Sequence, residues 1–180
     1  MLPTIVIKPP IESNLVSSEN TIIGNTVLYG ATSGKLFAAG QSGERFAVRN
    51  SGAESVIEGC GSNGCEYMTG GTVVILGKVG DNFAAGMTGG MAFIYDPKQE
   101  FENYVNPGSV IWQIPETDYW QNYLNNLIKE HYEETHSKIA KELLENFYSE
   151  LKKFVQVCPK EMINKLSNPI SLRKKISTAI

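Results

Sequence analysis

One glycine-rich stretch has the spacing of a dinucleotide-binding loop. Gly59-Cys60-Gly61-Ser62-Asn63-Gly64 fits the pattern GxGxxG, and Asp81 follows it where a ribose-binding carboxylate would stand. Such a loop binds a pyrophosphate only when a helix begins directly after it, because the helix N-terminus supplies the N–H groups. Here the loop leads into Cys65-Glu66-Tyr67-Met68 and another glycine. The sequence therefore predicts a structural corner and no bound cofactor.

The cysteines and histidines are too scattered to form a metal site or an activated nucleophile. Four residues separate Cys60 from Cys65, and Cys158 is remote from both. Zinc and iron–sulfur sites need three or four ligands at short spacings. His131 and His136 belong to a predicted helix far along the chain, so no base stands near Cys60 in the sequence. We expect no catalytic residue and no metal ligand here.

The acidic residues do not pair into a carboxylate site either. Glu44, Glu54, Glu58 and Glu66 are spread along the glycine-rich part of the chain. Their spacing is more typical of a solvated outer face than of two carboxylates flanking one substrate bond.

The candidate residues above lie within a sequence repeat, in which short β-prone strings recur at a nearly constant step. One series begins at Lys35, Glu54, Thr72 and Met91, with steps of 19, 18 and 19 residues. A second begins at Thr26, Arg45, Gly64 and Asn82, with steps of 19, 19 and 18. All 17 glycines lie between Gly24 and Gly108. A constant step with glycine corners predicts a mainly β protein, a parallel β-helix with coils of 18–19 residues.

Alternation within each series predicts which side chains face the interior. The first series has two small or apolar columns, Leu36/Ser55/Val73/Ala92 and Ala38/Ile57/Ile75/Ile94. The polar side chains of that series, including Lys35, Glu54, Glu58 and Thr72, fall on the outer face. In the second series the predicted interior columns are Val27/Phe46/Cys65/Phe83 and Tyr29/Val48/Tyr67/Ala85.

One outer column is apolar and must be covered. It consists of Phe37, Val56, Val74 and Phe93. Two alternatives remain open: the C-terminal helices of the same chain fold over this stripe, or another domain or subunit docks on it as an interface.

Composition changes near Pro115 and predicts three segments. Residues 1–116 form the β-helix, residues 117–160 form a helical appendage packed on it, and residues 161–180 form a tail. Thr117 and Ser137 are predicted N-caps of two helices, the second of which runs to a stop at Pro159.

Charge, hydropathy and cysteine content indicate which partners and which cell compartment the protein has. The net charge of −3 argues against nucleic acid as a partner, and no apolar run is long enough to span a membrane. Three cysteines without a signal-peptide pattern favour the reducing cytoplasm.

Several strings resemble the C-terminal domain of the glutamate synthase large subunit, the GXGXG domain family. They cover Gly24–Thr32, Gly43–Gly52, Gly64–Val74 and Gly86–Gly90, and the resemblance extends from about Ile5 to about Pro159. It implies a right-handed parallel β-helix.

The resemblance also implies a role in making glutamate from glutamine and 2-oxoglutarate. In that family the β-helix is a scaffold beside an amidotransferase domain and an FMN-binding synthase domain, which would be the partners of this chain. By this resemblance the chain alone is not an enzyme. Ile5–Pro10 resembles a strand from within the domain, so we expect earlier coils to be missing and the first coil to favour self-association into a homo-oligomer.

Two other functions remain alternatives to a non-catalytic assembly module. One is a β-helix enzyme, such as a carbohydrate lyase, with a polar-face site around Arg45, Arg49 and Glu66. The other is a β-helix subunit similar to that of formylmethanofuran dehydrogenase.

Overall fold

Five strands stack in parallel and wind into a β-solenoid of about four turns, which confirms the predicted fold class. The structure, a computed structural model, describes residues 3–171. The strands in that range are β1 (Thr4–Ile7), β2 (Thr21–Ile23), β3 (Lys35–Ala38), β4 (Gln41–Ser42), β5 (Ser51–Ile57), β6 (Thr69–Ile75), β7 (Gly89–Tyr95), β8 (Val110–Gln113) and β9 (Phe154–Pro159). The main sheet has the order β1-β3-β5-β6-β7-β9-β8, and β2 pairs with β4 beside it.

The first predicted series forms this sheet in the predicted register. Lys35 pairs with Glu54, Glu54 with Thr72, and Thr72 with Met91. Ile57, Ile75 and Ile94 lie one above another and are buried in the core inside the solenoid. Stacking like side chains in successive coils removes them from water while every coil keeps its hydrogen bonds to the next.

The second predicted series does not form strands, and that prediction was wrong. Its residues form turns in which every second residue has a left-handed backbone, with φ between 52° and 65°. The left-handed residues are Thr26, Leu28 and Gly30, then Arg45, Ala47 and Arg49, then Asn63, Cys65 and Tyr67, then Asn82, Ala84 and Gly86. Adjacent coils still hydrogen bond to one another along these turns, so the turns form a second stacked wall of the solenoid.

The register of the third coil in this wall also differs from the prediction. The N–H groups of Ala47, Cys65 and Ala84 each donate to a carbonyl of the preceding coil, at 2.8–2.9 Å. Cys65 therefore stands in line with Ala47 and Ala84, and the third turn starts at Asn63 instead of Gly64. Both series then have steps of 19, 18 and 19 residues. Tyr29 and Tyr67, for which the pattern predicts an interior position, are 51% and 54% exposed.

Up to residue 171, three α-helices follow the solenoid: α1 (Asp118–Thr135), α2 (Lys138–Glu145) and α3 (Phe147–Glu150). The predicted second helix is shorter than expected, because Phe154–Pro159 forms strand β9. This strand pairs antiparallel with both β7 and β8. It covers the edge of the last parallel strand, where unpaired backbone groups would otherwise be exposed.

The segment after Pro159 packs on the helices as far as the structure describes it. Trp120 Nε1 donates to the carbonyl of Asn168 at 2.9 Å, and Ile170 is buried. The rest of the predicted tail, residues 172–180, lies outside the described residues. The division into segments 1–116, 117–160 and 161–180 stays a prediction. Among residues 3–171, none of the helices combines the length and apolar character that a bilayer crossing requires.

Candidate functional site

The glycine-rich loop Gly59–Gly64 is a corner of the solenoid. Three of its N–H groups donate between coils: Cys60 to Lys78, Gly61 to Gly43 and Asn63 to Asp81, at 2.8–3.1 Å. The loop is followed by further turn residues and then by strand β6, not by a helix. The loop therefore lacks the helix N-terminus on which a pyrophosphate site of this motif depends, and three of its N–H donors already bind neighbouring coils.

The three thiols are buried and free. Burial raises the pKa of Cys60 to about 12 and that of Cys158 to about 11, and it raises the pKa of Cys65 as well. A thiol that stays protonated at neutral pH is neither a nucleophile nor a ready metal ligand. Within residues 3–171, no three His, Cys, Asp or Glu side chains converge in a way that could hold a metal ion.

The burial of the thiols leads to a prediction about their reactivity. At pH 8 we expect native protein to react with a thiol reagent such as Ellman's reagent at least about 100-fold more slowly than the same protein in urea, because access requires opening of the core. The measurement is the rate of thionitrobenzoate release. Rapid modification of one thiol under native conditions would show that Cys60, the most exposed of the three at 8%, lies in an accessible site.

A buried polar cluster joins the solenoid to the helices, and it was not predicted. Glu58, at the end of β5, is only 1% exposed, whereas the sequence pattern placed it on a solvated face. Ser137 Oγ donates to Glu58 Oε1 at 2.5 Å, and His131 Nε2 of α1 lies 3.7 Å from the same oxygen. The sequence does contain one signal for the burial of Glu58. The other residues at its position in the repeat are Ala39, Leu76 and Tyr95, an apolar column that the helices must cover.

The cluster has the residue types of a hydrolase triad but not their arrangement. In such a triad the imidazole accepts the proton of the serine, and the carboxylate orients the imidazole. Here the serine donates to the carboxylate instead, and among the described residues neither ring nitrogen of His131 has a hydrogen-bond partner. Ser137 Oγ also accepts from the N–H of Ala140 and so caps α2. The geometry holds two layers together and offers no activated nucleophile.

A second polar cluster, half-buried, fixes α1 on strands β3 and β5. Lys35 Nζ lies 2.6 Å from Glu130 Oε2 and 3.4 Å from Glu54 Oε2. Tyr123 donates its hydroxyl to Glu54. Burial, together with the Glu54 carboxylate, raises the pKa of Tyr123. These contacts account for Lys35 and Glu54, two of the polar outer residues of the first series.

The apolar stripe Phe37, Val56, Val74 and Phe93 is buried under the helices of the same chain. Leu124, Leu127 and Ile128 of α1, with Ala140 and Leu143 of α2, belong to the same core cluster. This is the first of the two alternatives for the stripe. Docking of another domain on these four residues stays a prediction and would require the helices to move away.

The structure does not bring Arg45, Arg49 and Glu66 together as a polar-face site. Both arginines are exposed, and within residues 3–171 neither guanidinium takes part in a hydrogen bond or ion pair. The Glu66 side chain accepts a long hydrogen bond from Asn63 at 3.5 Å, and its carbonyl accepts from the N–H of Arg49 at 2.9 Å. Within the described residues the Glu66 carboxylate thus forms no ion pair with either arginine, and a polar-face site around these three residues stays a prediction.

Fold and side chains together define a parallel β-solenoid with a helical layer and a sealed interior. The chain belongs to the GXGXG motif family, whose sequence model matches residues 3–160. It is 62% identical to the glutamate synthase [NADPH] large chain of Azospirillum brasilense over 174 residues, which cover 97% of this chain and 12% of that relative.

Two further relatives are also glutamate synthases that match most of this chain over a small part of their own length. The glutamate synthase [NADH] of Schizosaccharomyces pombe is 48% identical over 157 residues, covering 87% of this chain and 7% of the relative. The ferredoxin-dependent glutamate synthase of Pyropia yezoensis is 50% identical over 161 residues, covering 89% of this chain and 10% of the relative. The chain thus corresponds to the GXGXG domain of glutamate synthase and spans about a tenth of the length of these relatives.

Proposed function

We propose that this chain is a non-catalytic structural module of a glutamate synthase, acting in the assembly of an enzyme that makes glutamate from glutamine and 2-oxoglutarate. The observation that carries the proposal is the 62% identity over 97% of the chain to a glutamate synthase large chain. The partners would be an amidotransferase domain and an FMN-binding synthase domain, and the location would be the cytoplasm. A homo-oligomer through the first coil is compatible with this role.

The names of the relatives support a role that is independent of the electron donor. They specify NADPH, NADH and ferredoxin, yet all of them share the same region with this chain. A region common to enzymes with three different donors is better suited to shared architecture than to recognition of one donor. The buried thiols and the occupied N–H groups of the glycine-rich loop agree with this interpretation.

A replacement experiment tests the proposal. The region of the A. brasilense large chain that matches this chain is exchanged for this chain, and glutamate formation is measured with glutamine, 2-oxoglutarate and reduced donor. We expect the exchanged enzyme to keep at least about half of its activity, because a solenoid of the same family should present similar surfaces to the other domains. The isolated chain should form no glutamate under the same conditions.

The control is the exchanged enzyme carrying Ile75→Asp, which places a charge inside the solenoid. Its activity should be lost, which would show that a folded solenoid is required. Glutamate formation by the isolated chain, or full activity of the Ile75→Asp enzyme, would contradict the proposal.

A further inference from the structure

Four residues occupy the third left-handed position of the turn wall, one in each coil. They are Gly30, Arg49, Tyr67 and Gly86, with φ of 64°, 56°, 52° and 65°. A side chain in this conformation costs about 1–2 kcal/mol, and glycine avoids that cost. The first and last turns of the wall use glycine, so the fold itself needs no side chain here. The two middle coils nevertheless carry large ones.

Neither side chain compensates by making polar contacts inside the protein. Arg49 is exposed and Tyr67 is 54% exposed. In the part of the chain that the structure describes, no hydrogen bond or ion pair involves the Arg49 guanidinium or the Tyr67 hydroxyl. The Tyr67 ring lies against the backbone of Gly86, where the methyl group of an alanine would come within 2.5 Å of Tyr67 Cδ1. This contact with the backbone restrains the ring, while about half of the residue's surface stays exposed.

The two side chains share one surface depression of about 360 Å³, together with Thr69, Gly86 and Thr88. Arg and Tyr are the residues that most often anchor protein interfaces, because they combine a large contact surface with hydrogen-bond donors. An unpaired guanidinium selects a planar anion that it can bind with two parallel hydrogen bonds, above all a carboxylate. Arg45, at the first left-handed position of the same turn, does not line this depression, so Arg49 supplies its guanidinium.

The surrounding charge favours a protein over a polyanion. Glu44 and Asp81 are exposed in the same turn wall, and Glu66 directly precedes Tyr67. The net charge of the chain is −3. A nucleic acid would be repelled by these carboxylates, whereas a protein segment with one Asp or Glu residue can place its carboxylate on the Arg49 guanidinium alone.

We propose that Arg49 and Tyr67 form a docking surface for a carboxylate-bearing segment of the rest of the glutamate synthase. This inference rests on the proposed function and names the surface through which the module acts. The segment places an Asp or Glu carboxylate on Arg49 and packs against the exposed part of the Tyr67 ring.

Glycine substitutions at the two positions test the inference, because they remove the side chain without disturbing the left-handed backbone. We expect Arg49→Gly and Tyr67→Gly to leave the melting temperature of the isolated chain unchanged or to raise it. In the exchanged A. brasilense enzyme, we expect a segment outside this chain that contains Asp or Glu to exchange its amide hydrogens at least about 10-fold faster. The matched control is Gln99→Gly, since Gln99 is also exposed and left-handed, with φ of 58°, but lies outside the turn wall.

The outcomes separate the two proposals. If Arg49→Gly and Tyr67→Gly match Gln99→Gly in hydrogen exchange while the exchanged enzyme makes glutamate, the docking surface is refuted and the proposed function stands. If the parent exchanged enzyme is inactive and no segment responds to either substitution, both are refuted. Loss of folding in isolated Arg49→Gly or Tyr67→Gly would assign these side chains a structural role and refute the docking surface. Tight binding of an oligonucleotide single strand or of inorganic phosphate, abolished by Arg49→Gly, would assign the surface to a free anion instead.

Discussion

Replacing Gly70 with alanine is expected to destabilise the solenoid by about 3 kcal/mol or more, which is a large part of the stability of a domain this size. Gly70 is the second residue of strand β6 and pairs with Ser51 of the coil below. A methyl group at Gly70 would lie much closer to the Ser51 carbonyl oxygen than van der Waals contact allows. Neither atom can move away, because both backbones are fixed by hydrogen bonds between coils. Urea unfolding followed by circular dichroism measures the loss.

Gly24→Ala is the matched control for this prediction. Gly24 has no heavy atom within 4 Å of the position that a methyl group would take, and its backbone is not left-handed. Its substitution should therefore change the free energy of unfolding by less than about 1 kcal/mol. Equal effects of the two substitutions would mean that close stacking of the coils at Gly70 does not limit stability.

The stacking of the coils was predictable because its chemistry repeats along the sequence. Ile57, Ile75 and Ile94 recur at steps that leave little choice of register, and the strands follow that register. The residues of the second wall were predicted to form strands but form turns. In a strand, buried and exposed side chains alternate with a period of two, and the same alternation arises in a turn where every second residue is left-handed. Only the dihedral angles separate the two, and residues such as Ala47 and Cys65 give no local signal for a left-handed backbone.

In the helical part, prediction from the sequence failed for a different reason. The period of Ile139, Ala140 and Leu143 correctly indicates α2, but the apolar pattern also continues through Phe154 and Val155. Those two residues are in strand β9, because β7 offers an unpaired edge after the last coil. Pairing with a distant strand is a tertiary effect that overrides local periodicity. The same reason explains the misplacement of Glu58, whose burial depends on helices that follow it by about 60 residues or more.

Ser137→Ala is expected to destabilise the protein by about 3 kcal/mol, because one hydroxyl serves both layers. Loss of the capping hydrogen bond from the Ala140 N–H to Ser137 Oγ contributes about 1 kcal/mol. The Glu58 carboxyl group, buried and without any other hydrogen bond among the described residues, then loses its donor, which costs about 1–3 kcal/mol. The free energy of unfolding in urea measures the sum.

Thr117→Ala is the control that shows whether replacing any N-cap residue with alanine destabilises the protein as much as Ser137→Ala does. Thr117 occupies the N-cap position of α1, but its hydroxyl makes no capping hydrogen bond, so its loss should cost less than about 1 kcal/mol. A double variant, Glu58→Leu with Ser137→Ala, should recover part of the stability lost in the single variant, since both partners of the buried hydrogen bond are then gone. If the double variant is instead less stable than Ser137→Ala, the Glu58 carboxyl group stabilises the fold through a contact other than Ser137. The 3.7 Å approach of His131 Nε2 to Glu58 Oε1 is then the contact to examine by double-mutant cycle.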